Sequence, residues 1–236
     1  LPPVSLHLRI LCVLSCLLHL IPDPDHDPDL YPDPHLHPDH VDDLDITSGL
    51  YKFDFGPNLG PDALRATILF SGPSYLAAKE AQEILATHFN ISAELWSVTS
   101  YKRLRNDAID CQRRNRLNPL GERLVPMVTS KLQASEGPII AVSDWMAAVV
   151  GQVNRWTPRP MSVLGTDGFG RSDTREALRS FFEVDAAHVV VTVLNALARD
   201  GEIDRQVVAD AIQHFGIDPD RPDPAHPDTG ATELGR

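Results

Sequence analysis

From Ile46 onward, apolar runs alternate with stretches whose apolar residues recur at helical spacing. Short apolar runs bounded by turn-forming residues predict strands, and the helical spacing predicts amphipathic helices. Strands are predicted at 50–55, 64–72, 93–100, 138–144 and 161–165, of which the first is a strand or an entry arm. Helices are predicted at 74–89, within 101–117, and at 126–134, 145–155, 174–182, 186–199 and 205–215. This alternation predicts an α/β fold with a largely parallel sheet.

Residues at the predicted helix ends support these boundaries. Ser74 is the expected N-cap of the first helix, and Asp204 is the expected N-cap of the last. Gly201 stands where a C-terminal cap is needed. Asp173 and Glu176 have the spacing of an N-cap and N3 pair for the fifth predicted helix. The capping residues therefore agree with the apolar pattern.

The first part of the chain has a different composition. Between Pro22 and Pro38 the sequence is almost wholly Pro, Asp and His with a few Leu. Proline fixes φ, lacks an N–H and biases the preceding residue toward extended backbone, so we expect this run to be irregular and solvated. The chain is thus predicted to comprise an irregular segment at 1–45, an α/β domain at 46–218 and a flexible tail at 219–236.

Two other interpretations of the first segment are open. His26, His35, His37 and His40 lie among carboxylates, and His-rich tracts of this kind bind zinc. Alternatively, residues 1–38 are translated from a shifted frame or joined wrongly, because the repeated Asp-Pro pattern suits GC-rich codons read out of phase. Translation of the neighbouring frames distinguishes the two.

The apolar run at 10–21 resembles the core of a signal peptide. It is shorter than the roughly 20 apolar residues that a membrane-spanning helix needs, and no small-residue cleavage site follows it. The three cysteines, Cys12, Cys16 and Cys111, match neither a disulfide framework nor a four-ligand zinc pattern. We therefore expect a cytoplasmic protein that has no membrane partner.

The charge of the chain argues against nucleic-acid binding. The 236 residues contain 21 Lys and Arg against 33 Asp and Glu, which gives a net charge of −12. Residues 1–46 hold much of this excess, since Arg9 is their only Lys or Arg. A nucleic-acid protein needs clustered cations to displace counterions from phosphates. We expect no nucleic-acid partner, and we interpret the basic run at 102–116 as a solvated or subunit-facing helix surface.

The densest motif is LGTDGFGRSD, from Leu164 to Asp173, where a predicted strand ends in a glycine-rich loop before a helix. Loops after parallel strands commonly bind ligands, and Arg171 beside a helix N-terminus suits a phosphate or carboxylate. The spacing fits neither GxxxxGK[ST] nor GxGxxG. The alternative is a structural loop whose Asp167, Phe169, Arg171 and Asp173 make interdomain contacts.

Two weaker candidates have the residue types of catalytic sites. Ser143, Asp144 and His188 are those of a hydrolase triad, but no GxSxG motif surrounds the serine, so we favour coincidence. Cys111 lies among Arg113, Arg114 and Arg116, which would lower the pKa of its thiol if they surround it. The simpler interpretation is a partly buried cysteine without reactivity.

Three segments carry a resemblance to a known family: SVTSYKRLRNDAIDCQRRNRLNP at 97–119, VLGTDGFGRSDTREALRSFFEVDAAHVVV at 163–191 and RDGEIDRQVVADAIQHFGID at 199–218. Together they resemble the C-terminal domain of the bacterial homodimeric pyruvate dehydrogenase first component, over about residues 41–220. The resemblance implies a transketolase C-terminal-like, three-layer α/β fold with a mostly parallel, mixed sheet. It also implies a parent enzyme in the thiamine diphosphate superfamily, about four times longer than this chain.

That parent decarboxylates pyruvate on thiamine diphosphate and magnesium, and passes the acetyl group to the lipoyl group of the acetyltransferase second component. In this family the cofactor and metal lie in the first and middle domains, so we expect no catalytic, cofactor or metal residues in this chain. The partners implied are the remaining domains of the parent enzyme and a second copy as homodimer partner. Alone, the chain is expected to be inactive.

One motif resembles the superfamily's cofactor motif, Gly-Asp-Gly followed by Asn. Residues 165–168 read GTDG, and Asn195 follows at a similar distance. Thr166 interrupts the motif and Asn195 falls in an apolar helix, so we predict no cofactor site there. The chain also departs from the family at Asn115, which follows Arg114 without the usual Trp, and at Asn118, which replaces a His. With the unmatched first 40 residues, these departures suggest a truncated or degenerating gene product.

Overall fold

A five-stranded mixed sheet organises the residues that this computed structural model describes, namely Pro38, Val41 and residues 43–225. The strands are β1 (Tyr51–Asp54), β2 (Leu64–Phe70), β3 (Ile91–Ser97), β4 (Ile139–Val142) and β5 (Met161–Leu164). Their order across the sheet is β1-β3-β2-β4-β5. Strand β1 runs antiparallel to β3, and all other neighbours are parallel. The predicted mostly parallel, mixed sheet is confirmed.

Eight α-helices connect or flank these strands in the described part of the chain. They are α1 (Asp43–Ser48), α2 (Tyr75–Phe89), α3 (Tyr101–Leu117), α4 (Met127–Leu132), α5 (Ala147–Gly151), α6 (Arg175–Phe181), α7 (Ala186–Asp200) and α8 (Arg205–His214). Two 3₁₀ turns lie at Gly72–Ser74 and Asn154–Trp156. Every helix except α1 agrees with the prediction from the apolar pattern, and the six residues of α1 are too few to show a helical period.

Both faces of the sheet are buried, which gives the predicted three layers. Ile68 and Phe70 of β2 pack with α2, α7 and α8 on one face, whereas Leu69 packs with α3 and α4 on the other. Successive residues of a strand point to opposite faces, so β2 needs apolar side chains at consecutive positions. The same requirement explains why Ile139–Val142 is wholly apolar and buried.

The chain changes direction across the sheet between β2 and β4. Strand β3 lies on one side of β2, and β4 lies on the other. The loops after β2 and β4 therefore diverge at the carboxyl ends of these strands, which is where parallel sheets commonly bind ligands. This edge of the sheet also carries the loop after β5.

Two predicted caps were wrong. The Ser74 side chain makes no capping hydrogen bond, because residue 74 already has helical backbone at the end of the 3₁₀ turn. Helix α6 is capped by Thr174, which accepts from Ala177 N, so Asp173 lies one residue outside the helix and does not pair with Glu176 as N-cap and N3.

Two other predicted caps are confirmed. Asp204 accepts a hydrogen bond from Gln206 N at the start of α8. Gly201 ends α7 in the left-handed conformation with φ +84°. A cap that the sequence analysis missed is Asp185, which accepts from His188 N at the start of α7.

Residues 175–200 are long and apolar enough, by composition alone, to cross a membrane. In the structure the stretch is divided, because Glu183 adopts a left-handed backbone with φ +58° between α6 and α7. The apolar side of α7, including Val189, Val193 and Leu194, is fully buried against the sheet. The hydropathy of this stretch thus reflects a core helix.

Several predictions concern residues outside the described part. They are the signal-like run at 10–21, Cys12 and Cys16, the zinc-ligand candidates His26, His35, His37 and His40, the irregular segment up to residue 37 and most of the predicted flexible tail.

Candidate functional site

Two adjacent loops form the carboxyl edge of the sheet, one after β4 at 143–146 and one after β5 at 165–174. Backbone and side-chain bonds hold them together. Thr166 N donates to Trp145 O at 3.0 Å, and Thr166 Oγ1 donates to Asp144 O at 2.6 Å. Ser143 N also donates to Leu164 O at 3.1 Å. The LGTDGFGRSD loop is therefore anchored to its neighbour rather than free to close over a ligand.

Glycine is required at two positions of this loop by close backbone contacts. A Cβ on Gly165 would lie 2.5 Å from Ala147 N and 2.6 Å from Trp145 O. A Cβ on Gly168 would lie 2.3 Å from Pro224 O, and Gly168 has φ +104°. These approaches are shorter than any real carbon contact. The glycines thus serve packing between segments of this chain.

Three of the four candidate residues in the loop make local contacts. Asp167 Oδ2 accepts a hydrogen bond from Ala147 N at 3.3 Å, at the start of α5. The Arg171 guanidinium stacks over the Phe181 ring at 4.6 Å, and its Nε is 3.9 Å from Asp173 Oδ2. Asp173 Oδ1 accepts from Thr174 N at 2.8 Å. These contacts favour the structural interpretation of the loop over the anion-binding one.

The fourth candidate, Phe169, is 82% exposed. On the neighbouring loop, Trp145 and Met146 are 60% and 56% exposed. We call these three residues the carboxyl-edge surface. Large apolar side chains on linked loops are typical of surfaces that other protein parts cover. Trp145 and Met146 were not predicted as surface residues, because the apolar pattern placed them in a helix, whereas α5 begins only at Ala147.

The proposed hydrolase residues do not form a triad. Ser143 is fully buried, its Oγ lies 2.6 Å from Ser71 Oγ, and it accepts from Trp145 N at 3.1 Å. His188 Nδ1 is 2.6 Å from Asp185 Oδ1 at the start of α7. The serine and the histidine therefore bond different partners, which agrees with the interpretation that these residue types occur together by coincidence.

The surroundings of Cys111 disfavour the reactive thiolate form of its side chain. Its side chain is buried in α3, and burial raises the pKa of the thiol. Asp107 and Asp110 raise this pKa further, whereas Arg114 lowers it only in part. The possibility that neighbouring arginines make Cys111 reactive is thus wrong, because burial and the two carboxylates raise the pKa of the thiol by more than Arg114 lowers it.

The residues that mimic a thiamine diphosphate motif do not meet. Asp167 lies in the loop at the carboxyl ends of the strands, where it bonds Ala147 N. Asn195 is exposed on α7, two residues before Leu197, which lines a cavity with Leu64 and Pro138 at the amino ends of the strands. Asp167 is thus engaged at the start of α5, whereas the Asn195 side chain is exposed on α7. Within the described residues, no group of three or more His, Cys, Asp or Glu is placed to hold a metal ion.

Comparison with known proteins identifies the family of this fold. Residues 49–185 match the model of the transketolase-like TK C-terminal domain. The "Pyruvate dehydrogenase E1 component" of Mycolicibacterium smegmatis is 42% identical over 192 residues, which are 80% of this chain and 20% of that protein. The protein of the same name from Escherichia coli K12 is 42% identical over 180 residues, 76% of this chain and 20% of its own length. The chain thus spans about a fifth of these relatives.

A solved structure of transketolase from Leishmania mexicana is also similar. Its TM-score is 0.45 at 18% identity, and the match covers 66% of this chain and 19% of that one.

Proposed function

Since the chain belongs to the transketolase-like C-terminal domain family, we propose that it is the C-terminal structural and dimer-supporting domain of a pyruvate dehydrogenase first component. The proposal draws on the resemblance over residues 41–220 and on the similarity to pyruvate dehydrogenase E1 components. In the parent enzyme, pyruvate would be decarboxylated on thiamine diphosphate with magnesium, and the lipoyl group of the second component would be acetylated. We place that chemistry in parts of the parent that this chain does not span, in the cytoplasm.

The observation that carries the proposal is the carboxyl-edge surface. Burying an apolar side chain is worth about 1.5–3 kcal/mol, so three large side chains left in water mark a surface that is stabilised by being covered. The loops beneath them are fixed by the Thr166 bonds and by the close approach at Gly165. A rigid apolar surface of this kind suits the rest of the parent enzyme, either in the same subunit or across the dimer.

The role of this chain would then be mechanical rather than chemical. Asp167, Arg171 and Asp173 would hold the loop through the contacts described above, and Phe169 would enter the interface. The alternative function, a stand-alone module that binds a small anion through Arg171, is not favoured because that guanidinium is stacked on Phe181. We expect the chain alone to show no pyruvate decarboxylation.

Reconstitution with the missing part tests the proposal. The full chain is mixed with the M. smegmatis relative truncated before its matching region, and association is measured by size-exclusion chromatography with light scattering. We expect a complex, and we expect pyruvate-dependent acetyl transfer only when both parts are present. Activity of this chain alone, or the absence of any complex, would overturn the proposal.

Matched serine variants locate the interface. Trp145→Ser and Phe169→Ser should each weaken the complex by about tenfold, since an apolar anchor at an interface contributes roughly 1–2 kcal/mol. Leu120→Ser removes a comparably exposed apolar side chain from a different loop and should leave the affinity unchanged. Equal weakening by all three variants would argue against the carboxyl-edge surface as the interface.

A further inference from the structure

We propose that the last turn of α3 and the loop after it form a docking surface for an acidic peptide segment of a partner protein. This basic loop surface consists of Arg116, Asn118, Leu120 and Arg123, with Asn115 beneath the loop. Helix α3 begins just after β3 ends and has 17 residues, so its last turn lies about 25 Å along the helix from the carboxyl edge. The inference therefore goes beyond the proposed function and concerns a different surface.

The charge of this region is opposite to that of the whole chain. Residues 101–123 contain seven Lys and Arg against three Asp and Glu, whereas the chain carries −12 overall. Within the described residues, Arg114 pairs with Asp110, and the other cations of this stretch have no ion pair. These are Lys102, Arg103, Arg105, Arg113, Arg116 and Arg123, all of which are exposed. Of these, Arg113, Arg116 and Arg123 lie near the basic loop surface together with one acidic residue, Glu122, so the surface keeps a net positive charge that attracts an acidic ligand and repels a basic one.

The loop is fixed by one side chain. Asn115 Nδ2 donates to Leu124 O at 2.8 Å, and Leu124 N donates to Asn115 Oδ1 at 2.8 Å. Gly121 N closes a turn on Asn118 O at 3.1 Å. These hydrogen bonds fix the two ends of a short loop that contains no helix or strand. A pre-organised loop loses little entropy on binding, which favours affinity.

The fixed loop presents an apolar tip between two arginines. Leu120 is 99% exposed, and Arg116 and Arg123 precede and follow it in the chain. Behind the tip lies an open cavity of about 630 Å³, lined by both arginines and by Gln112, Asn115 and Asn118 among others. Gln112 is held by Arg155, whose Nη2 donates to Gln112 Oε1 at 2.7 Å. The Arg155 guanidinium in turn stacks on Trp156 at 4.4 Å.

An acidic peptide that also carries apolar side chains fits these features. Arginine binds carboxylates through paired N–H donors, and the Asn118 amide in the cavity can bond a peptide backbone. Leu120 offers an apolar contact that neither free phosphate nor a simple anion uses. A single-stranded nucleic acid needs aromatic side chains for base stacking, and none lines this cavity.

Peptide binding to the full chain tests the inference. The probe is a fluorescein-labelled dodecapeptide of alternating Glu and Leu, and a Lys and Leu peptide is the negative probe. Fluorescence anisotropy should show saturable binding of the acidic peptide to the chain and no binding of the Lys and Leu peptide. The double variant Arg116→Glu/Arg123→Glu should weaken that binding by about tenfold or more, because attraction is replaced by repulsion. Arg205→Glu reverses one charge on α8, on the other face of the sheet, and should change affinity by less than about twofold.

Two further variants separate positioning from contact. Leu120→Ser should weaken binding of the Glu and Leu peptide more than binding of a Glu and Ser peptide. Asn115→Ala should weaken both and raise hydrogen exchange at Leu124. The inference is overturned if the acidic peptide does not bind, if Arg205→Glu weakens it as much as the double variant, or if phosphatidylserine vesicles bind and the peptide does not. It is also overturned if the truncated relative blocks the peptide, since the surface would then be internal to the parent enzyme.

Discussion

The backbone of Gly168 lies against the carbonyl oxygen of Pro224, so closely that a Cβ atom on the glycine would stand 2.3 Å from that oxygen. This contact joins the loop after β5 to the last described residues of the chain. The second link between the same two segments passes through Phe181. Both the Arg171 and the Arg221 guanidinium groups contact its ring, at 4.6 Å and 5.1 Å from the ring centroid. The segment at 218–225 therefore supports the loop that carries Phe169.

Replacing Gly168 should break this support. Gly168→Ala places a methyl group against backbone and forces φ +104° on a residue with a side chain. We expect a loss of about 1–3 kcal/mol in the free energy of unfolding, measured by urea denaturation, together with faster hydrogen exchange at 218–225. The control is Gly170→Ala, since Gly170 has open space around its Cβ position and no positive φ. Equal effects of the two substitutions would contradict the assigned role of the Pro224 contact.

The stack on Phe181 predicts coupling between two arginines that are distant in sequence. Arg221 also donates to Ser180 O at 3.3 Å, so its removal costs a hydrogen bond as well as a cation–π contact. Arg171→Ala and Arg221→Ala should each cost about 0.5–1 kcal/mol in the free energy of unfolding. In the background of Phe181→Leu, we expect both costs to fall. Unchanged costs in that background, measured by urea denaturation, would exclude the stacking contribution.

Sequence reasoning was most successful where burial dictates the residue pattern. Strand β4 must bury both faces, and Ile139–Val142 contains only apolar residues, so the strand was easy to predict. Helix ends were less predictable because caps depend on local backbone geometry. Ser74 was expected to cap α2, but a 3₁₀ turn precedes the helix and puts residue 74 in helical backbone.

The candidate site was predictable as a location and less so in its contacts. The glycines of the loop marked a special backbone, but the sequence did not indicate that Gly168 contacts Pro224, 56 positions later. The exposed side chains of Trp145 and Met146 were missed for a related reason. Apolar residues are normally taken as core, and only the tertiary structure shows that these two face outward.

Acid should destabilise the protein through Asp185. Burial alone would raise the pKa of this carboxyl, but hydrogen bonds from the side chain and backbone of His188 outweigh it and lower the pKa. A lowered folded-state pKa means that the stabilisation is present above the ordinary pKa of aspartate, about 4, and is lost as pH falls through the lowered value. The wild-type chain should therefore lose stability below about pH 4, and Asp185→Asn should flatten this dependence in thermal unfolding.

A non-ionising cap provides the matched control for Asp185. Thr174→Ala removes the N-cap of α6, where Thr174 Oγ1 accepts from Ala177 N at 3.3 Å. It should lower stability by about 1 kcal/mol without changing the shape of the pH profile. If Asp185→Asn and Thr174→Ala have parallel pH profiles, the charge of Asp185 contributes nothing beyond capping.

Cys111 should be unreactive in the folded protein and should become reactive on unfolding. Its thiolate is disfavoured by burial and by Asp107 and Asp110, which together raise the pKa of the thiol. In a Cys12→Ser/Cys16→Ser chain, reaction with dithiobis(nitrobenzoic acid) at pH 8 should be at least about a hundredfold slower than in urea. Asp110→Asn removes one carboxylate from an exposed position and should speed the reaction of the folded chain.

The raised pKa of Cys111 also has a consequence for stability. The unfolded chain ionises its thiol at lower pH than the folded chain, so stability should fall as pH rises above the ordinary thiol pKa of about 8.5. Cys111→Ala creates a small cavity, so its unfolding midpoint should be below the parent's at pH 7. Because the variant has no thiol to ionise, the difference between the two midpoints should shrink as the pH rises. A constant difference between the two chains from pH 7 to pH 10 would show that the thiol does not ionise on unfolding, and rapid labelling of the folded chain would show that Cys111 is not shielded.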